Sequence, residues 1–417
     1  MGTEFGEGIA SDAMGNIYVT GIFDTATSFG GAVLTPAGSA DMFLASYTSD
    51  GTHRWSRRLG GTSADTAFRV VLDAAANVYL SGSFSGTVDF GTGPLTSAGS
   101  TDIVIASFDS SGATRWARRY GGTSNDQANA IAPDAPGGVV FAATFNAAAD
   151  FGTGTMTSAG LSDIALVSLT ANGLTRWAQH YGSTGAEQAL GIGEDAGGDV
   201  YVSGQFSGSA DLGGGAAMSA GSLDVFVARY ESTAGVHVWS RRFGSTGIDS
   251  GSDLAVSASG NVFVIGAYSG AIDFGTGPLA IAGSQDSFVA AFGPTGATRW
   301  VDRVGGPGIE GLAGVTLTTS GDVAVAGHFS GTTDFGLGAT TAAGSSAAVA
   351  AVYAGSTGTP QSVRTFGSSG SVGFYAVAGE SHGGLLLTGS FTGTQTFFGS
   401  PLVSAGGDDL LVTTLYP

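Results

Sequence analysis

Six acidic residues recur at one position of a repeated sequence pattern and are the side chains best suited to hold a metal ion. Successive members are 61 or 62 residues apart, and they are Glu4, Asp65, Asp126, Glu187, Asp249 and Glu310. Hard cations such as calcium prefer several carboxylate and carbonyl oxygens. If these carboxylates surround one mouth of a central channel, their repulsion favours a bound cation, and calcium is the candidate cofactor. The alternative is that each carboxylate accepts hydrogen bonds from amides at the start of its own strand.

Side chains for other kinds of catalysis are sparse. Cysteine and lysine are absent, so the sequence offers no thiolate and no amine nucleophile. The five histidines occupy different repeat positions, which predicts no metal triad. His328 and His382 are the best candidates if a single site exists. We predict no catalytic residue and favour a protein that is not an enzyme, although a cation-dependent hydrolase or lyase at the channel stays an alternative.

The elements that must position these side chains follow from an internal repeat of about 61 residues. A glycine after a short apolar run recurs at Gly21, Gly82, Gly204, Gly266, Gly327 and Gly389. All five tryptophans share one further repeat position and are Trp55, Trp116, Trp177, Trp239 and Trp300. Because they recur with the repeat, we interpret them as packing between repeats rather than as a carbohydrate platform. The sixth and seventh units diverge most, with Ala347 for aspartate, Ser362 for tryptophan and Val372 for an acid.

Each unit reads as four short strands, and four strands per repeat of this length are typical of a propeller blade. The second strand is apolar on consecutive residues, which is expected when both faces of a sheet are covered. We therefore predict an all-β, seven-bladed β-propeller of four-stranded antiparallel blades with little or no helix. It is a single domain over 1–417, with blades at about 1–60, 61–121, 122–182, 183–244, 245–305, 306–367 and 368–417.

The seventh unit lacks the strand that carries Arg-Trp-x-Arg-Arg in earlier units, so the last blade is predicted to have three strands. Its third strand is then an exposed edge that could receive a strand from a partner or from an upstream segment. That edge consists of Asp409, Leu410, Leu411, Val412, Thr413, Thr414 and Leu415. The alternative is that a domain boundary trimmed the closing strand.

Composition limits the partners. A net charge of −19 weighs against nucleic acid and anionic membranes, which are themselves negative. No apolar run approaches the roughly 20 residues that span a bilayer, so we expect no membrane insertion. The first residues of the sequence do not have the pattern of a signal peptide.

Two stretches carry a family resemblance over the whole chain. The runs at residues 12–21 and 60–65 resemble the SBBP repeat, a bacterial β-propeller repeat. The resemblance implies an exported or surface-attached bacterial protein, and hence an extracellular or cell-surface location, without a defined activity.

These observations favour a binding or scaffold module that engages a protein or glycan through propeller loops or the channel mouth. The rival is the cation-dependent enzyme, and a third hypothesis is a structural component joined to a larger assembly through the open seventh blade. Near-identical repetition favours the non-catalytic functions, because an active site normally breaks the symmetry of a repeat.

Overall fold

The structure is a computed structural model that describes residues 2–416. Within that range it is all-β and contains no helix, so no helix there could cross a membrane. Seven blades follow one another along the chain, six with four strands in the order first-second-third-fourth and the last with three. The fourth strand of blade two also pairs with a short ribbon of blade three, so that sheet has six strands in all. The predicted seven-bladed propeller with a three-stranded last blade is therefore confirmed.

The first four blades contain the following strands. Blade one has β1 (Glu4–Ser11), β2 (Ile17–Phe23), β3 (Asp41–Tyr47) and β4 (His53–Leu59). Blade two has β5 (Thr66–Leu72), β6 (Val78–Phe84), β7 (Thr87–Asp89), β8 (Pro94–Thr96), β9 (Asp102–Phe108) and β10 (Thr114–Gly122). Blade three has β11 (Gln127–Pro133), β12 (Gly138–Phe145), β13 (Ala148–Asp150), β14 (Thr155–Thr157), β15 (Asp163–Thr170) and β16 (Thr175–Tyr181). Blade four has β17 (Ala186–Glu194), β18 (Val200–Ser207), β19 (Ser209–Asp211), β20 (Ala216–Met218), β21 (Asp224–Tyr230) and β22 (His237–Phe243).

The last three blades repeat this order. Blade five has β23 (Asp249–Val256), β24 (Val262–Tyr268), β25 (Ile272–Asp273), β26 (Pro278–Leu279), β27 (Asp286–Phe292) and β28 (Thr298–Val304). Blade six has β29 (Glu310–Leu317), β30 (Val323–Phe329), β31 (Thr332–Asp334), β32 (Ala339–Thr341), β33 (Ala347–Tyr353) and β34 (Pro360–Phe366). Blade seven has β35 (Val372–Gly379), β36 (Leu385–Phe391), β37 (Thr394–Phe397), β38 (Ser400–Val403) and β39 (Asp409–Leu415).

The middle strands of each blade form the core because their apolar residues are consecutive. Every residue of β6 and of β9 is buried, since neighbouring blades cover both faces of the sheet. In each blade the pairing of the first and second strands contains one bulge, such as the shift between Gly6 and Gly8. The seven cores between successive blades are what hold the disc together.

The ring closes where blade seven packs on blade one. Val19 and Phe43 of blade one share an apolar cluster with Leu386 and Val412 of blade seven. The Glu4 amide donates a hydrogen bond to the Asp408 carbonyl oxygen at 2.7 Å, which fixes the two blades in register.

Short two-stranded ribbons between the second and third strands of blades two to seven were not predicted. Blade two shows their construction, because the Asp89 carboxylate accepts hydrogen bonds from the amides of Gly91 (2.7 Å) and Gly93 (3.0 Å).

Candidate binding groove between blades seven and one

The six repeated acids lie at the starts of the first strands and accept local hydrogen bonds. Asp65 accepts the amides of Gly61 (2.7 Å) and Ser85 (3.2 Å), and Asp126 accepts the amide of Gly122 at 2.8 Å. The other four likewise accept bonds from nearby residues: Glu4 from Thr27, Glu187 from Ser183, Asp249 from Ser245 and Glu310 from Thr333. Each of the six thus has a role in the turns of its own repeat.

Each repeated acid also faces a second carboxylate from the preceding blade. The Asp65 amide bonds the carbonyl oxygen of Ala40, which places Asp65 beside Asp41. The same arrangement pairs Asp126 with Asp102, Glu187 with Asp163, Asp249 with Asp224, Glu310 with Asp286 and Glu4 with Asp409. The aspartates 41, 102, 163, 224 and 286 are fully buried. Carboxylate pairs therefore mark six of the seven blade interfaces, and in five of them both acids are buried.

Burial and the neighbouring negative charge disfavour ionisation of the repeated acids. Burial is the main cause that raises the pKa of Asp65 to about 6, that of Glu310 to about 6 and that of Glu187 to about 8. Asp163 raises the pKa of Glu187 further, whereas the Ser183 amide lowers it. These carboxyls hold protons more tightly in the folded protein than in the unfolded chain.

The structure does not gather the repeated acids into one cluster. Within residues 2–416 no three His, Asp or Glu side chains are grouped so that they could hold a metal ion. The six acids remain distributed over six blade interfaces, two carboxylates at each. Calcium binding at these residues stays a prediction.

The two histidines that break the repeat have separate surroundings. His328 is largely buried, and burial lowers its pKa. A Cβ added to Gly311 would lie 2.7 Å from the His328 ring. The half-exposed His382 contacts Glu380 instead, at 2.7 Å from Nδ1 to Oε1. The contacts of these histidines do not join them in one site.

Each of the five tryptophans joins its own blade to the next, which confirms their interpretation as packing between repeats. The Trp55 indole N–H donates to the carbonyl oxygen of Ser110 at 3.0 Å, in the turn before the fourth strand of blade two. The acceptors of the other four indoles are Ala171, Ser232, Pro294 and Gly355. Each ring covers a glycine of that turn, and the five glycines are Gly112, Gly173, Gly235, Gly296 and Gly358.

Two further side chains of the fourth strand make contacts that repeat. An arginine three residues after the tryptophan binds the first aspartate of the third strand, as Arg58 binds Asp41 at 2.7 Å. The next residue is apolar and packs on an aromatic residue of the following blade, as Phe243 packs on Phe274 with ring centroids 4.9 Å apart. Fourth strands therefore bind both their own blade and its neighbour.

Blade seven has no fourth strand within the described residues, and a groove lies at that place. β39 pairs only with β36, so its other edge is open. A cavity of about 630 Å³ runs between β39 and blade one. Its lining includes Phe29, Tyr47 and Gly51 of blade one and Asp409, Leu410 and Val412 of blade seven. We call this space the seam groove.

The sequence indicated one wall of the seam groove and missed the other. Asp409 to Leu415 were predicted as an open edge, and three of these residues line the groove. Phe29 and Gly51 were not singled out. The signal that could have found them is their repeat position, since Gly51 corresponds to Gly112 and Phe29 to Phe90.

Comparisons with known proteins identify no family for this chain. No protein-family model matches the chain, and no curated protein is similar to it in sequence. Among solved structures it is similar to the Pan2 WD40 domain of Neurospora crassa, with a TM-score of 0.49 and 12% identity over 92% of this chain and 85% of that one. It is also similar to the Dos1 propeller (TM-score 0.47, 9% identity, 99% and 92% covered). BamB from Moraxella catarrhalis gives a TM-score of 0.39 at 16% identity (87% and 92% covered). The strand order described above is what defines the chain as a seven-bladed β-propeller.

Proposed function

We propose that this propeller is a binding or scaffold module that engages another polypeptide at the seam groove. The observation that carries the proposal is the groove itself, where the contacts repeated at the other blade interfaces lack a fourth strand to complete them. An unpaired strand edge offers backbone donors and acceptors in a row, which is how sheets receive an extended peptide.

The remaining repeated side chains support binding over catalysis. The tryptophans, the fourth-strand arginines and the paired carboxylates are engaged in contacts within and between blades. The seam groove breaks this symmetry, and binding sites in repeat proteins are found where the repeat is broken or where its loops diverge. A glycan stays the alternative partner, and an exported or surface location, which the SBBP resemblance implies, belongs to the same proposal.

The experiment is a selection of ligands on the protein and on a variant whose groove is filled. Random displayed peptides and a glycan array are screened against the native chain and against Ala26→Trp, which places an indole in the groove lining. The matched control is Ala216→Trp, since Ala216 is equally exposed but lies on blade four. Ligands that bind the native chain and the control, but not Ala26→Trp, support the proposal. Ligands that bind all three proteins equally place the site elsewhere and contradict it.

A further inference from the structure

We infer that the seam groove binds an extended polypeptide segment with the side chains of this chain's own fourth strands. Such a segment carries a tryptophan, an arginine three residues later and a large apolar residue immediately after the arginine. The inference rests on the proposed function and names the chemistry of its ligand. Three separate vacancies in the groove carry it.

The first vacancy fits the tryptophan. At the five interfaces with a docked indole, a Cβ added to the turn glycine would meet the ring at 2.6 to 2.8 Å. Gly51 is the corresponding glycine of blade one, and nothing lies within 4 Å of a Cβ added there. Gly51 has a φ of 84°, the same as Gly112, so the turn already has the conformation that receives an indole. The neighbouring Ser49 carbonyl occupies the position of the Ser110 carbonyl, which accepts the indole N–H of Trp55.

The second vacancy fits the arginine. Asp409 corresponds to Asp41, Asp102, Asp163, Asp224 and Asp286, each of which binds an arginine or histidine of its own fourth strand. Within residues 2–416 the Asp409 carboxylate has no such cation, and it accepts the Ala405 amide at 2.6 Å. Glu4 lies beside it, so the groove holds two carboxylates without the positive charge found at the equivalent interfaces. A guanidinium is the group that complements them.

The third vacancy fits the apolar residue. Elsewhere this residue packs on an aromatic ring of the following blade, as Phe366 stacks on Phe397 at 5.6 Å and Tyr120 on Phe151 at 6.4 Å. Phe29 is the corresponding ring of blade one. It is stacked on Phe43 at 4.2 Å and lines the groove.

The open edge sets the register of the bound segment. In blade one, Trp55 lies opposite Ser46 and Arg58 lies opposite Phe43 in antiparallel pairing. The same register on β39 places the partner's tryptophan opposite Thr414 and its arginine opposite Leu411, from where the guanidinium reaches Asp409. The three vacancies therefore have the spacing of one strand.

A segment that is not already paired within a blade fits better than a second copy of this chain. In a second copy the fourth strands are already paired within their blades, and Trp116, Trp177, Trp239 and Trp300 are buried there. Freeing one would break a blade. Two copies would also bring together two chains of net charge −19, which repel each other, whereas a basic segment is attracted.

The test uses a capped synthetic peptide with the sequence of residues 114–120, Thr-Arg-Trp-Ala-Arg-Arg-Tyr. Its binding to the full chain is measured by isothermal titration calorimetry. We expect saturable binding with one peptide per chain, and W116A in the peptide weakens it by about thirtyfold or more, as expected for a buried anchor. Asp409→Asn in the protein weakens binding by about tenfold, and this loss disappears with a peptide in which R119Q removes the guanidinium.

Gly51→Ala is the variant that blocks the indole site, because its Cβ occupies the face on which the ring would lie. The matched control is Gly321→Ala, which has nearly the same φ (83°) and open space around its added Cβ, but lies in blade six. We expect Gly51→Ala to weaken binding by about tenfold or more while Gly321→Ala has no effect. Equal affinities for the two variants would overturn the inference, as would equal affinities for the peptide and its W116A form.

Two outcomes separate this inference from the proposed function. If selected ligands compete at the groove but the peptide does not bind, the inference is wrong and the proposed function stands. If native mass measurement shows that the chain dimerises and Gly51→Ala abolishes the dimer, a second copy is the occupant and the inference is overturned.

Discussion

Ala347 and Val372 both lie beside Gly367 at the interface between blades six and seven, whereas the other six interfaces carry two carboxylates. Both are buried, and a Cβ added to Gly367 would lie 3.3 Å from the Ala347 Cβ and 3.4 Å from the Val372 Cγ1. Both acids of the pair are absent at the one interface that departs from the pattern. The two carboxylates therefore behave as a unit of the interface rather than as independent repeat positions.

An acid restored at this apolar interface should need an arginine that the chain lacks there. Val349, two residues after Ala347, pairs with Thr365 as Phe43 pairs with Arg58 in blade one, whereas Arg364 pairs with Ala350 and faces the other side of the strand. Ala347→Asp therefore buries a carboxylate without a partner and should cost about 3–5 kcal/mol of the free energy of unfolding. We expect Thr365→Arg in the same chain to recover at least about 1 kcal/mol of this loss, measured by urea denaturation. No recovery would show that an arginine at this position does not compensate the new charge.

The paired carboxyls predict that stability falls as pH rises. Folded pKa values above the ordinary ones mean that the folded protein binds more protons than the unfolded chain, so the stabilisation is complete below pH about 4 and is lost as pH rises through the folded pKa. For Glu187 this window extends from its ordinary value to about 8. Glu187→Gln should recover roughly 1–3 kcal/mol at the upper end of the window and flatten the dependence of Tm on pH. An unchanged slope would contradict the assignment.

Alanine substitutions at two glycines with the same φ distinguish the energetic cost of the backbone conformation from the cost of disturbing a docked tryptophan. Gly51→Ala and Gly112→Ala both place an alanine at φ 84°, which costs about 1–2 kcal/mol. Only at Gly112 does the new Cβ also meet a ring, 2.8 Å from Trp55. Gly112→Ala should therefore lose a further 1–3 kcal/mol or so in chemical denaturation. If the two variants are equally stable, the Trp55 contact does not contribute.

The calcium hypothesis predicts a dependence of stability on the cation. If calcium relieves the repulsion between Glu187 and Asp163 and between the other carboxylate pairs, millimolar calcium raises Tm and EDTA reverses the rise. The Val372 interface has no such pair and serves as the internal reference in hydrogen exchange. A Tm that does not change with calcium or EDTA removes the hypothesis.

The repeat period made most of the fold predictable. Seven recurrences of the same apolar runs, and tryptophans spaced 61 or 62 residues apart, predicted the blades, the four strands of each and the missing fourth strand of blade seven. These features depend on local residue order, which the sequence displays directly. The ribbons escaped prediction because they are only two to four residues long, too short for a period to appear.

The candidate site was predictable only in part because its contacts join different repeats. Asp41 and Asp65 belong to separate columns of the sequence, and their proximity arises only when two blades pack face to face. Gly51 likewise reads as an ordinary turn glycine. Gly51 differs from Gly112 in that no tryptophan ring covers it, and this difference is recognised only when the structure shows Gly112 beneath the Trp55 ring.

The tie between each indole and the following turn also bears on how the disc comes apart. Where a tryptophan is docked on the following turn, separating the two blades breaks an indole hydrogen bond and exposes an aromatic ring. The strand β39 and blade one can separate without either event. Thermal opening should thus begin beside β39, whose amides exchange with deuterated water before those of β9. A segment bound in the seam groove would stabilise this interface, and thermal unfolding should then become more cooperative.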